Sequence, residues 1–221
     1  MPFGARPALT HVVWDWNGTL FDDFELTARI AQRTLEKMGV SGVTGEVIRA
    51  SFRRPFSEFY AGLFGRPVRP REYAFIRERY ELEYQLELDA ITLQPDAHEA
   101  MDLLAARASQ SLLSMAHDEQ LQALVDGHGI RERFVLIEGS PSSDSDGNKA
   151  ARMERHLRAL GVDRAGTVVI GDTVDDHEAA LANGARSVLV TTGSTARPLL
   201  EATGAPVVDS LGEAAAVALK I

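Results

Sequence analysis

The sequence predicts an α/β fold: a parallel β-sheet covered by helices on both faces and interrupted once by an inserted α-helical cap domain. Three observations predict it. Short apolar runs alternate with segments of helical period along most of the chain. Those runs are apolar throughout rather than alternating, as strands buried on both faces require. One long stretch, from Phe21 to about Leu93, shows helical spacing and no strand-like run.

The elements follow in order. His11 to Trp16 (HVVWDW), rich in β-branched and aromatic residues, reads as the first strand. Ser111 to Met115, Phe134 to Ile137, Thr167 to Ile170, Ser187 to Val190 and a weak Pro206 to Val208 read as the others. Helical patterns between them cover Asp96 to Ala108, Glu119 to Gly127, Lys149 to Leu160, Asp175 to Ala182 and Ala196 to Thr203. Within the interruption, Phe24, Ala28, Ala31, Leu35 and Met38 recur at helical spacing, with Gly39 as a stop. Val47, Ile48 and Phe52, then Phe56, Phe59, Tyr60 and Leu63, suggest two helices separated near Pro55. Tyr73 to Ile91 reads as a fourth. The expected organisation is a discontinuous core, residues 1–20 and 94–221, around a cap at 21–93. Pro141 to Gly147 (PSSDSDG) reads as a polar loop.

Composition narrows the function. Of 221 residues, 45% are hydrophobic and 25% charged, the balance of a globular protein. A net charge of −9 repels phosphate backbones and anionic lipid, so neither nucleic acid nor membranes are expected partners. With no cysteine, thiolate catalysis, disulfides and cysteine-based zinc sites are excluded. No run approaches eighteen apolar residues, and the first residues lack the pattern of a signal peptide, so a cytoplasmic location is expected.

Open parallel sheets bind ligands at the carboxyl ends of their strands. Asp15 ends the first strand, Ser114 the second and Asp172 the fourth, while Lys149 opens the helix before the fourth. Taken singly, each has a plain alternative. Asp15 fits a turn, Ser114 a small strand-closing residue, Lys149 a surface lysine, and Asp175 and Asp176 a helix N-terminus favoured by its dipole. Asn17-Gly18 alone suggests a type I′ hairpin turn.

Together these residues resemble a known family. Asp15-Trp16-Asn17-Gly18-Thr19-Leu20 resembles the first motif (DxDGT) of the haloacid dehalogenase (HAD) superfamily, Ser114 the second, Lys149 the third, and Gly171-Asp172-Thr173-Val174-Asp175-Asp176 the fourth (GDxxxD). The resemblance implies a Rossmann-like core. The cap position is similar to the helical-cap branch that includes phosphoglycolate-phosphatase-like enzymes. It further implies a magnesium ion (Mg2+) held by Asp15, the backbone carbonyl of Asn17 and Asp172, with Asp176 behind them holding metal-bound water. Asp15 would be the nucleophile, forming an aspartyl-phosphate that water hydrolyses. Ser114 would donate to the phosphoryl group and Lys149 offset its charge. Gly18, Met115 and the cap arginines Arg53 and Arg54 are the expected substrate contacts, with an ordinary basic surface turn as the equal alternative for either arginine.

Asn17 departs from the family pattern. Phosphatases of the family carry a second Asp there, which protonates the leaving alcohol and activates water. An amide does neither, and such help is typically worth about 10²–10⁴ in rate. His117 is the nearest substitute in sequence. The departure argues against a mutase. The acidic pair Asp172 and Asp176 argues against a metal-free dehalogenase, and a phosphonate-cleaving relative would need Lys37 as its imine-forming lysine. The expectation is a phosphatase acting on a small phosphorylated metabolite, as monomer or homodimer. Its rival is a phosphoryl-binding regulatory protein with little turnover. Trp14, His11, His98, His128 and His156 read as structural or solvated, and Asp175 as solvated.

Overall fold

The computed structural model describes residues 7–141 and 148–221. The first six residues of the chain, and residues 142–147 of the expected polar loop, lie outside the described residues. The described strands are β1 (His11–Trp14), β2 (Ser109–His117), β3 (Ile137–Ser140), β4 (Thr167–Gly171), β5 (Arg186–Val190) and β6 (Val207–Val208). They form one sheet in the order β3-β2-β1-β4-β5-β6, with every neighbouring pair parallel. The chain moves outward from β1 in one direction and from β4 in the other. The boundary between β1 and β4 is therefore a topological switch point, where such sheets open a crevice.

Both faces of the sheet are buried, as the unbroken apolar runs require. Val12, Trp14, Leu112, Val168 and Ile170 point into one core cluster. Val13, Leu113 and Val169, each one residue out of phase, point into another. The first face is covered by α5 (Ala97–Ala105), α6 (Asp118–Gly127) and α10 (Leu211–Ala218), which supply Met101, Leu121 and Leu211. The second is covered by α7 (Lys149–Leu160) and α8 (Val174–Ala182), through Met153, Leu157 and Ala179. A short helix, α9 (Arg197–Glu201), precedes β6.

The interruption after β1 is helical: α1 (Phe24–Lys37), α2 (Gly45–Ser51), α3 (Phe56–Phe64) and α4 (Pro70–Glu87). Phe24, Ala28, Ala31 and Leu35, the residues of the predicted helical stripe, pack with Ile48, Phe59, Tyr60 and Ile76 in a cluster of their own. The two segments joining this block to the sheet run side by side. Gln94 N–H donates to Leu20 O at 2.8 Å, Asp22 N–H donates to Thr92 O at 3.0 Å, and Phe21 and Leu93 form an antiparallel bridge.

Some boundaries differ from the sequence expectation. The run Phe134 to Ile137 is not itself the strand: β3 starts at Ile137, and the preceding residues follow a short 3-10 turn at Arg131–Arg133. Val135 is 62% exposed, so apolar character there does not mark burial. The fourth cap helix begins at Pro70, where proline's fixed φ suits a first helical position, and yields at Leu88–Ala90 to a 3-10 turn. Asn17-Gly18 is no type I′ turn. That turn needs positive φ at both residues, and among the described residues only glycines, Gly18 included, have it.

Candidate active site

The register of the sheet brings the polar residues together. Trp14 pairs with Leu112 on one side and Ile170 on the other. Asp15, Ser114 and Asp172 therefore leave three adjacent strands at the same end. Asp15 N–H donates to Ile170 O at 2.9 Å, which carries the β1–β4 pairing up to the carboxylate itself. Asp176 comes from the first turn of α8, where Thr173 caps the helix. Asp176 accepts from Thr173 N–H at 3.0 Å and from Thr173 Oγ1 at 2.6 Å. Oxygens of Asp15, Asp172 and Asp176 all lie within 4.8 Å of one another, and all three side chains are buried.

Lys149 is the cation among them. It is the first residue of α7, whose N-cap Asn148 accepts from Ala151 N–H at 3.2 Å. Its ammonium forms a short contact with Asp15 Oδ1 and lies 2.5 Å from Asp176 Oδ1. Burial alone would lower the Lys149 pKa, but the two carboxylates outweigh it and raise the pKa above the ordinary value. Burial raises Asp15 to about 6, against the opposing pull of Lys149. Burial, with the neighbouring Asp15 and Asp176, holds Asp172 well above the usual carboxylate range. Three carboxylates share one ammonium, so the cluster carries an excess of negative charge in a dry place. A hard divalent cation with oxygen ligands fits that donor set.

Asp172 is aimed by the loop after β5. Ser194 N–H donates to Asp172 Oδ2 at 2.6 Å and Thr19 Oγ1 donates to Oδ1 at 3.2 Å. The turn after Asp15 is tied to the same loop, because Thr192 Oγ1 donates to Gly18 O at 2.7 Å. Gly18 (φ +71°) has no room for a side chain: a Cβ would stand 2.7 Å from Gly193 Cα and 2.8 Å from Asp172 Oδ2.

A cavity of about 310 Å³ opens above Asp15, between the strand ends and the helical block. Asp15, Asn17, Ser114, Met115, Lys149, Asp172 and Arg54 all line it. Gly18 and Arg53 are not among its described lining. Gly18 stands behind Asp172, and exposed Arg53 folds over α3, where a Cβ on Gly62 would lie 2.8 Å from its guanidinium. Asp175 is not solvated as expected. It lies 3.4 Å from Arg54, because the loop carrying Arg54 lies over the start of α8. Burial raises the Asp175 pKa, with Arg54 opposing.

Asn17 is held from the side. Its amide nitrogen donates to Asp23 Oδ2 at 2.7 Å and to Tyr84 Oη at 3.0 Å, while Tyr84 Oη donates to Asp23 Oδ2 at 2.8 Å. Gly18 N–H completes the set by donating to Asp23 Oδ1 at 2.9 Å. Burial nevertheless raises the Asp23 pKa above the ordinary value.

Sequence reasoning missed Asp23, Tyr84 and Ser194. The doubled Asp22-Asp23 just after the first motif and the polar run Thr191 to Thr195 at a strand end were legible signals for two of them. Tyr84 had none, since nothing in a helical tyrosine sixty-odd positions away announces a partner. His117 lines the cavity with Ser114. Lys37 lies exposed on α1, 4.0 Å from Glu83. Trp14 is core, its indole N–H donating to Gln110 Oε1 at 2.8 Å. His11 is buried between Ser109 and Ser111.

Comparisons with known proteins identify the family of the chain and its fold. The family model described as haloacid dehalogenase-like hydrolase matches residues 12–181, and a second HAD-hydrolase-like model matches residues 149–214. The chain is 25% identical over 189 residues to a phosphoglycolate phosphatase of Chromobacterium violaceum, covering 81% of this chain and 83% of that protein. Its fold is similar to that of a predicted phosphatase from Clostridium acetobutylicum, with TM-score 0.80 and 17% identity over 97% of this chain and 100% of that one. It is also similar to a haloacid dehalogenase-like hydrolase from Streptococcus pneumoniae, with TM-score 0.79 and 19% identity over 95% and 98% of the two chains.

Proposed function

The chain belongs to the haloacid dehalogenase-like hydrolases, and from that premise we propose that it is a magnesium-dependent phosphatase of small phosphorylated metabolites, working through an aspartyl-phosphate on Asp15. The observation that carries this reading is the convergence of Asp15, Asp172 and Asp176 on one point beside Lys149. Likeness to a phosphatase-named relative supports the same class.

Each residue then has a task. Asp15, Asp172, Asp176 and the backbone carbonyl of Asn17 would hold the magnesium ion, which when bound supplies charge neutralisation and polarises the phosphoryl oxygens. Asp15 attacks phosphorus, and the bond from phosphorus to the leaving oxygen breaks. Lys149 keeps the Asp15 carboxylate oriented and offsets charge on the phosphoryl oxygens. Ser114 accepts from Ala116 N–H at 3.0 Å, which leaves its hydroxyl proton free to be donated to a phosphoryl oxygen. Asp176 fixes Lys149, and the loop bearing Ser194 fixes Asp172. The helical block serves as a cap that excludes bulk water. The enzyme acts as a monomer or homodimer in this reading.

Asn17 favours a second reading, a phosphoryl-binding protein with little turnover, because its side chain has no acidic proton. Hydrolysis of acetyl phosphate with and without magnesium separates the two. Magnesium-dependent turnover abolished by Asp15→Asn supports the phosphatase. Absent turnover with retained binding of beryllofluoride supports the binder.

A further inference from the structure

The cavity wall above Asp15 is aromatic. Phe52 meets Phe56 edge-on at 6.0 Å and Phe59 at 5.8 Å, Phe59 continues to Tyr60 at 4.9 Å, and Tyr60 to Tyr73 at 6.2 Å. On the side nearest the nucleophile, Tyr80 stacks on Tyr84 at 5.3 Å, and Tyr84 accepts from Asn17. All seven rings line the cavity. Two arginines, Arg54 and Arg77, also line it, and Arg54 already faces Asp175. Such a wall suits a flat apolar group far better than a second anion. At about 310 Å³ the space is at the small end of ligand pockets, room for one ring system and a phosphoryl group.

An independent observation points the same way. Asn17 has no acidic proton to pass to a leaving oxygen, and both hydrogens of its amide are already directed at Asp23 and Tyr84. Without an acid at position 17, the group that leaves most readily is one stable as an anion, the conjugate base of an acidic hydroxyl.

On the phosphatase reading above, we infer that the substrates are phosphate monoesters of acidic aromatic hydroxyls, aryl rather than alkyl phosphates. In the first step Asp15 Oδ bonds to phosphorus, the bond from phosphorus to the aryl oxygen breaks, and its electron pair leaves on a phenolate. In the second step water adds its hydroxyl to phosphorus and its hydrogen to a phosphate oxygen, and the bond from Asp15 Oδ to phosphorus breaks to restore the carboxylate. The phenolate then takes its proton from the released dihydrogen phosphate in solution. No carboxylate at position 17 takes a proton from that water as it attacks. The second step is therefore slow, and the aspartyl-phosphate accumulates.

The test uses the whole protein with magnesium and four substrates: acetyl phosphate, phenyl phosphate, para-nitrophenyl phosphate and cyclohexyl phosphate. The expected result is a kcat/KM for both aryl esters at least about 100-fold above that for cyclohexyl phosphate. A rapid burst of about one nitrophenolate per site should precede steady turnover. Phe52→Leu and Phe56→Leu, which keep apolar bulk and remove the ring, should each lower the ratio of kcat/KM for phenyl phosphate over that for acetyl phosphate by about 5-fold or more. If cyclohexyl phosphate is cleaved as well as phenyl phosphate while acetyl phosphate is a substrate, the aryl assignment is overturned and the phosphatase reading stands. If both leucine variants, folded by circular dichroism, leave the ratio unmoved, the aromatic wall is not the binding surface and the assignment is again overturned. If acetyl phosphate itself is inert with magnesium, the phosphatase reading fails and the inference fails with it.

Discussion

The side-chain nitrogen of Asn17 lies 2.7 Å from Asp23 Oδ2, so the residue that departs from the family motif is matched by a buried carboxylate six positions on. An amide donates there. A carboxylate at position 17 would face Asp23 without a proton to share, unless one of the two took one up. The asparagine is thus a fitted part of the site and not an isolated change.

Asn17→Asp should therefore have two effects. Stability should fall by about 1–3 kcal/mol in urea denaturation, the range for a buried hydrogen bond to a charged group that is lost. The kcat/KM for alkyl phosphates should rise, toward the ~10²-fold that general acid help supplies, while for aryl phosphates kcat/KM should change little and kcat should rise as hydrolysis of the aspartyl-phosphate speeds up. Adding Asp23→Asn reverses donor and acceptor and should recover about 1 kcal/mol or more as a coupling energy. A double variant no more stable than Asn17→Asp alone would remove the pairing argument.

Magnesium should stabilise the fold. The Asp15, Asp172 and Asp176 carboxylates crowd one ammonium, and a divalent cation relieves them. At a hundred times its dissociation constant the ion should contribute about 2.7 kcal/mol, seen as a rise in Tm. Asp172→Asn should abolish most of that rise, and in chelator it should melt no lower than wild type because a buried like charge has gone. A magnesium shift of equal size in Asp172→Asn would contradict the assignment of that ligand.

Gly193→Ala tests how Asp172 is aimed. A Cβ at Gly193 would overlap the Asp172 carboxyl group, with its Oδ2 the nearest atom. The carboxylate must move, and overpacking of this kind costs about 1–3 kcal/mol. Magnesium affinity measured by calorimetry should fall at least about tenfold, equivalent to about 1.4 kcal/mol. Unchanged affinity would mean that the loop does not set the position of Asp172.

His11 should make stability depend on acid. Burial, with a smaller contribution from His156, lowers its pKa from 6.5 to about 4. Between those values the unfolded chain binds a proton that the folded chain refuses, so this group's stabilisation is lost as pH falls from 6.5 toward 4. The unfolding free energy of His11→Gln should fall less steeply than that of wild type between pH 7 and pH 5. Parallel slopes would show that the ring is not kept neutral by burial.

Much of this was readable in the chain before folding was considered. The run HVVW and the run TVVI are apolar at every position, and both became strands with one set of side chains in each of two cores. The stripe Phe24, Ala28, Ala31, Leu35 became the buried face of α1. The motif residues Asp15, Ser114, Lys149 and Asp172 line one cavity, with Asp176 beneath Lys149. Less was legible where apolar residues stay exposed, as at Val135, or where burial comes from a distant segment, as for Asp175 under Arg54.

By itself the sequence determined the periodicities, and through them which segments become strands or helices, together with the chemical kind of each residue at a strand end. That information is local, because a hydrogen-bonded element repeats over a few residues and its pattern repeats with it. Only the tertiary structure decided that Asn17 donates to Asp23 and Tyr84, that Arg54 rather than Arg53 reaches the cavity, and that seven aromatic rings line the same cavity as Asp15. Those contacts join segments far apart in the chain, and their geometry follows from how helices and sheet pack against one another, which no local repeat encodes.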